Sequence, residues 1–98
     1  MVYRLITYRY RDETTPEQVD ELHRLIEALN DAVGGDVTIM YGPDRLPQNE
    51  DPRREAYLVI AKDENLLLNH YAPHPLHVEM LNRLDWLEDM VAADLYQP

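Results

Sequence analysis

Along residues 2–11, VYRLITYRYR, apolar and polar positions alternate with the two-residue period of a strand, and the β-branched and aromatic content agrees. Val2, Arg4, Ile6, Tyr8 and Tyr10 fall on one face, and Tyr3, Leu5 and Thr7, followed by two arginines, on the other. Neither face is cleanly polar, which places the strand in a sheet covered on both sides. Asp12 to Thr15 reads as a turn. Thr15-Pro16-Glu17-Gln18 then joins an N-cap hydroxyl, a proline at the first helical position and a glutamine at the third, the pattern of a capping-box helix start. Val19, Leu22, Ile26, Leu29 and Val33 make one apolar stripe on that helix, and Gly34-Gly35 ends it. Val37 to Tyr41, closed by Gly42-Pro43, predicts a second strand. Ala56 to Ala61 predicts a third, again apolar on both faces. Asp63 caps a short helical stretch from Glu64 to Tyr71, which Pro73 and Pro75 interrupt. A longer helix is predicted to begin near Pro75 and to run through Val78, Leu81, Leu84, Leu87 and Met90, before a last strand over Val91 to Tyr96.

The order β-α-β-β-α-β is that of the ferredoxin-like α+β arrangement, in which helices cover one face of a four-stranded sheet. The first and third strands are apolar on both sides, so the second face needs a cover as well. A second copy packed sheet to sheet supplies it, and a homodimer is expected. Between the second and third strands, Gly42 to Glu55 is polar and holds Pro43, Pro47 and Pro52. It exceeds the usual connection of ~4–6 residues and suits either a lid or a solvated connector.

A chain of 98 residues is read as a single domain, 1–98, whose thin core makes self-association a common remedy. Nineteen acidic against nine basic residues leave a formal charge of -10, which repels phosphate backbones and anionic membranes, so neither nucleic acid nor membrane is an expected partner. There is no cysteine, which removes thiolate nucleophiles, thiolate metal sites and disulfides. No apolar leader or spanning segment is read from the chain, and a cytoplasmic protein is the default expectation. Seven tyrosines and one tryptophan stand without a single phenylalanine. A buried tyrosine must find a partner for its hydroxyl, so these side chains are either half exposed or line an interior that wants hydroxyls, with Tyr8 and Tyr10 turned toward Tyr71.

Three of the four histidines lie in the phrase His70-Tyr71-Ala72-Pro73-His74-Pro75-Leu76-His77. A histidine in the first turn of a helix is kept neutral by the helix dipole and is available as a base near neutral pH, and a nearby tyrosine hydroxyl can bond a developing enolate. The plainer reading makes His74 a capping residue, His77 a donor to a backbone carbonyl and Tyr71 a packed aromatic. His70, His74 and His77 have i, i+4, i+7 spacing, but Pro73 and Pro75 break the helix that would align them, and no metal site is expected. His23 and His70 are expected at the surface without a role.

Tyr71-x-x-His74-Pro75-x-His77, placed after the third strand, together with the Thr-Pro-Glu-Gln helix start and the Tyr41-Gly42 strand end, resembles the stress-responsive dimeric α/β barrel (Dabb) domains over essentially the whole chain. Within that family it is similar to the olivetolic acid cyclase-type polyketide cyclases. The resemblance implies a cofactor-free, dimeric barrel, with Tyr71 and His77 as the catalytic pair for aldol-type chemistry and His74 beside them. Where those cyclases carry further pocket histidines, this chain has Arg4 and, nearby, Ala56. Strand parity is read as placing Arg4, Ile6 and Tyr8 on one face with Ala56, Leu58 and Ile60, the face that the resemblance makes the barrel interior. The expected substrate-binding residues are thus Arg4, Ile6, Tyr8, Leu58 and His74. Arg4 either bridges to an acidic residue of the same or the partner chain or holds an anionic group of a ligand. Three functions follow. One is a small cyclase-like enzyme acting on a polyketide or related β-dicarbonyl compound. The second is a non-catalytic module whose barrel holds an apolar metabolite or is filled by side chains. The third is a related ferredoxin-like dimer that oxidises aromatic polyketides without a cofactor, from which the His-Pro-x-His phrase points away. A pocket of about 300 Å³ or more, lined by Tyr71, His77 and Arg4, favours the first.

Overall fold

A computed structural model describes residues 1–46 and 50–98 of the chain. In order it forms β1 (Val2–Tyr10), α1 (Pro16–Val33), β2 (Val37–Pro43), β3 (Arg54–Ala61), a single turn α2 (Glu64–Leu66) widening into a π-helical turn (Leu67–Tyr71), α3 (Pro75–Leu81), a 3-10 turn (Leu84–Trp86) and β4 (Leu87–Tyr96). The strands make one sheet in the order β2-β3-β1-β4, with every neighbouring pair antiparallel. This is the expected α+β, ferredoxin-like architecture. Residues 47–49 of the proline-bearing connection, Pro47 among them, lie outside the described residues.

The start of α1 follows its sequence closely. The Thr15 hydroxyl accepts from the Gln18 amide at 3.2 Å while the Gln18 side chain accepts from the Thr15 amide at 2.9 Å. Two amides that the first helical turn leaves without partners are satisfied reciprocally. Leu22, Ile26, Leu29 and Val33 are buried, with Val19 packed beside them. Gly34, at φ 76°, takes the chain out of the helix through a conformation that costs other residues more.

The register of the sheet assigns its two faces. Val2, Arg4, Ile6 and Tyr8 of β1 stand opposite Ala61, Val59, Tyr57 and Glu55 of β3, and this face lies under the helices. Buried Val59, Val37, Ile39, Leu29, Ile26 and Leu67 meet there. Each such side chain withdrawn from water contributes roughly 1.5–3 kcal/mol. The expected grouping with Ala56, Leu58 and Ile60 is wrong. The register pairs each even-numbered residue of β1 with an odd-numbered one of β3, and a slip of one residue exchanges the faces. Leu58 faces Leu5 on β1 and Met40 on β2, on the opposite side of the sheet. That side carries no helix, and Leu5, Met40, Val91 and Leu95 are exposed on it.

The predicted long second helix is also wrong. α3 stops at Leu81, and β4 starts at Leu87, four residues ahead of the expected strand start at Val91. Val78, Leu81, Leu84, Leu87 and Met90 repeat at strict intervals of three. A helix turns by ~100° per residue, so each such step drifts about 60° and the five positions never form one face. Instead Asn82 caps α3, and β4 pairs along β1 from Tyr10 to Val2. The ladder is interrupted once: Asp89 and Met90 together stand where a single residue would oppose Tyr8, and Asp89 has φ 52°. The extra residue of this bulge sits in the left-handed region, which aspartate tolerates better than most side chains.

Candidate active site

α3 begins where His74-Pro75 allows it. His74 is the N-cap, its Nδ1 accepting from the Leu76 amide at 3.1 Å, and Pro75 takes the first helical position. Two residues on, His77 Nδ1 lies 2.8 Å from the carbonyl of Ala72. A carbonyl only accepts, so Nδ1 carries the hydrogen and Nε2 carries the lone pair. Among the described residues no group bonds Nε2. Burial holds the imidazole below its ordinary pKa, and the positive charge of Arg4 and the proximity of His74 act in the same direction, against the Ala72 hydrogen bond. The neutral, basic form is thereby favoured near neutral pH. The capping and carbonyl contacts of the plainer reading are both present, and the second of them leaves His77 competent as a base.

His77 lines a cavity of about 120 Å³ between the sheet and the helices, with Ile6, Tyr8, Tyr57, Leu22, Ile26, Met80 and Met90 among its walls. The cavity is nearly all apolar in its lining. Tyr71 stands behind it. Its ring lies 4.4 Å from the His77 ring, and its hydroxyl is 2.7 Å from that of Tyr57. Two hydroxyls that share one hydrogen bond keep one proton to offer elsewhere, and it is Tyr57 that reaches the cavity wall. Burial raises the pKa of both phenols, so both remain protonated.

Of the residues expected to bind substrate, Ile6 and Tyr8 line this cavity with His77 and Tyr57. His74 stays at the helix cap. Arg4 lies on the same face of the sheet, with Nε and Nη2 bonded to the two carboxylate oxygens of Asp94 at 2.9 and 3.0 Å. The bridge is therefore made within the chain, and Asp94 is held below its ordinary pKa chiefly by that bond. Leu58, on the bare face, is excluded from the cavity. The three histidines of the phrase diverge, His70 going to the Val33 carbonyl at 2.8 Å, and among the described residues no group of three or more side chains is placed to hold a metal. No helix among the described residues is long and apolar enough to cross a membrane.

Glu55 escaped the sequence reading, and His23, expected at the surface without a role, is half-buried and paired with it. Glu55 accepts from the hydroxyls of Tyr8 at 2.9 Å and Tyr10 at 2.7 Å, and His23 Nε2 lies 2.8 Å from its other oxygen. The expected turning of Tyr8 and Tyr10 toward Tyr71 is thus corrected: both go to Glu55. The signals were present. His23 follows Val19 by four positions and precedes Ile26 by three, on the flank of the buried stripe, and Glu55 is in phase with inward-facing Tyr57, Val59 and Ala61.

No protein-family description matches the chain, and no curated protein matches it. Solved structures do. A protein of Arabidopsis thaliana covers 100% of this chain with 95% of its own at 21% identity and a TM-score of 0.78. A dimeric ferredoxin-like protein of unknown function from Jannaschia sp. covers 98% of each chain at 20% identity, with a TM-score of 0.79. The hydroxynitrile lyase of Passiflora edulis covers 99% of this chain and 94% of its own at 17% identity, with a TM-score of 0.76. At these identities the likeness is one of fold, and the chain is a ferredoxin-like α+β protein of the architecture these three share.

Proposed function

We propose that this chain is a small acid–base enzyme of the cyclase or lyase type, acting on a compact β-dicarbonyl compound in the cavity beside His77. The observation that supports it is the tautomer of His77: Nδ1–H is fixed on the Ala72 carbonyl, so the lone pair of Nε2 is free at the wall of an apolar cavity. His77 takes the proton from the acidic carbon between two carbonyls, and the Tyr57–Tyr71 hydroxyl pair donates to the enolate oxygen. The carbanion then adds to a further carbonyl of the same molecule, whose π bond opens to an alkoxide that takes the proton back from His77, as in the Dabb-type polyketide cyclases that the His-Pro-x-His phrase resembles. That the Passiflora neighbour, a hydroxynitrile lyase, shares the fold supports a lyase-type activity on this scaffold.

Two copies of the chain assemble through the bare face of the sheet, in this proposal, as the exposed Leu5, Met40, Val91 and Leu95 favour. The Jannaschia neighbour is itself described as dimeric. Sedimentation at micromolar concentration then gives twice the 11.5 kDa of one chain, and a monomer alone would refute this part.

One observation favours the second reading, a non-catalytic binding module. The cavity of about 120 Å³ is below the roughly 300–1,000 Å³ of most small-molecule sites. Hydrogen–deuterium exchange at the acidic carbon of a small 2-methyl β-keto ester separates the two. Acceleration by the wild-type chain that falls by about 10²–10⁴ in His77→Gln supports the enzyme. No acceleration, with a small molecule retained in the native mass spectrum, supports the binding module.

A further inference from the structure

Glu55 is the hub of a polar cluster that takes no part in proton abstraction by His77. Its side chain is 12% exposed, and its Oε1 accepts from Tyr8 and from Tyr10, while His23 from α1 holds its Oε2. Tyr10 also lies 3.3 Å from His23 Nε2, and the His23 ring packs on Tyr41 at 4.6 Å. Glu55 and Tyr10 line a separate, outward-opening hollow, whereas Tyr8 lines the cavity of His77. Tyr8 therefore stands between the carboxylate and the cavity, with its own proton already given to Glu55. Toward anything else, its oxygen can only accept.

We infer that Glu55, held by His23, acts on the cavity through Tyr8 as a proton acceptor, and that the cavity therefore takes a small ligand carrying a hydroxyl group, an enol or phenol. This rests on the cavity being the substrate site. The ligand O–H donates to Tyr8, which donates to Glu55. When the ligand ionises, its proton passes to the Tyr8 oxygen as the Tyr8 proton passes to Glu55 Oε1. The ligand oxygen is left negative, Tyr8 is neutral as before, Glu55 is protonated, and the His23 hydrogen bond stays on the second carboxylate oxygen. Tyr8 does not ionise on its own account, because burial and the Glu55 charge raise its pKa. The size agrees with a single ring: an apolar cavity of ~150 Å³ accepts benzene, and this one is about 120 Å³.

Phenol and toluene test it, being of similar shape and differing in the hydroxyl. Binding followed by NMR titration at neutral pH is expected to favour phenol by about tenfold in the wild-type chain, as for a hydrogen bond backed by a charge. Glu55→Gln keeps an acceptor for both tyrosines but removes the charge, and the preference is expected to shrink to about twofold or less with toluene binding unchanged. Tyr8→Phe gives the same loss without touching the carboxylate, and carries the test if Glu55→Gln fails to fold. Equal binding of the two probes by the wild type, a preference that survives Glu55→Gln and Tyr8→Phe, or no binding of either probe overturns the inference. The probe titration reads binding alone, whereas the exchange test reads proton abstraction by His77. A failure of His77 as base thus leaves this result intact, and a failure here leaves the exchange test of His77 intact.

Discussion

The hydroxyls of Tyr57 and Tyr71 meet at 2.7 Å, between two side chains that are 3% and 1% exposed. Each is the partner that makes the burial of the other tolerable. Removing one hydroxyl by Tyr57→Phe or Tyr71→Phe strands the second in an apolar setting and is expected to cost about 1–3 kcal/mol. The double variant loses both ends of the bond and strands neither. Urea denaturation of the four proteins should therefore give a double variant less destabilised than the two single changes added together. Simple additivity would mean that the hydroxyls find other partners.

Protonation of His77 provides a second prediction. Burial sets its folded pKa below the ordinary value of about 6.5, so between the two values the unfolded chain binds a proton that the folded chain does not. Stability then rises with pH through this window and is lost as pH falls from about 6.5 toward the folded value. Melting temperatures of wild type and His77→Gln across that range should converge toward low pH, and parallel curves would contradict the assignment.

Arg4 lowers the His77 pKa through its positive charge. Arg4→Met is expected to raise the midpoint of the His77 NMR titration. Because the bridge to Asp94 is partly exposed, the same substitution should change stability by no more than about 1 kcal/mol. A large loss of stability with an unmoved midpoint would make Arg4 purely a strut.

On the bare face, Leu5 and Val91 are 45% and 65% exposed. Leu5→Glu with Val91→Glu places charge at the proposed contact between copies while disturbing little within one chain. Sedimentation is expected to move from dimer to monomer with the far-ultraviolet circular dichroism unchanged. An unmoved sedimentation coefficient would locate the contact elsewhere.

At the other end of the scale, Thr15→Ala removes one half of the α1 capping box and should cost about 1 kcal/mol in chemical denaturation.

How much of this was legible depended on whether the signal was local. Thr15, Pro16 and Gln18 specify a helix start among themselves, and the stripe from Val19 to Val33 follows from one period, so α1 was read to the residue. The placement of Leu58 was not local. It depended on which residue of β3 meets Leu5, and no run of sequence states that register. β4 was shortened for a related reason: Glu88 and Asp89 mask a strand that exists because β1 offers it a ladder. In the site, the His74-Pro75-Leu76-His77 phrase announced its own geometry. Glu55 and His23 come from elements 32 positions apart and became a pair only when α1 lay across the sheet.

The placing of β1 between β3 and β4 has a consequence for the order in which the molecule is made. Arg4 sits beside Asp94, 90 residues later, and β1 is paired with β4 along one edge except at the bulge opposite Tyr8. While β4 is unmade, β1 has only β3 for company, and the hydrogen bonds of its other edge go to water. Contacts of such long sequence separation are entered late and slowly, because the intervening chain must first be closed into a loop. A nascent chain emerging from the ribosome can thus complete α1 and the β1–β3–β2 ribbon early. It acquires the Arg4–Asp94 bridge, and the Met90 wall of the cavity, only when β4 arrives. The Met90 wall of the cavity thus depends on a pairing made between the two ends of the sheet-forming chain.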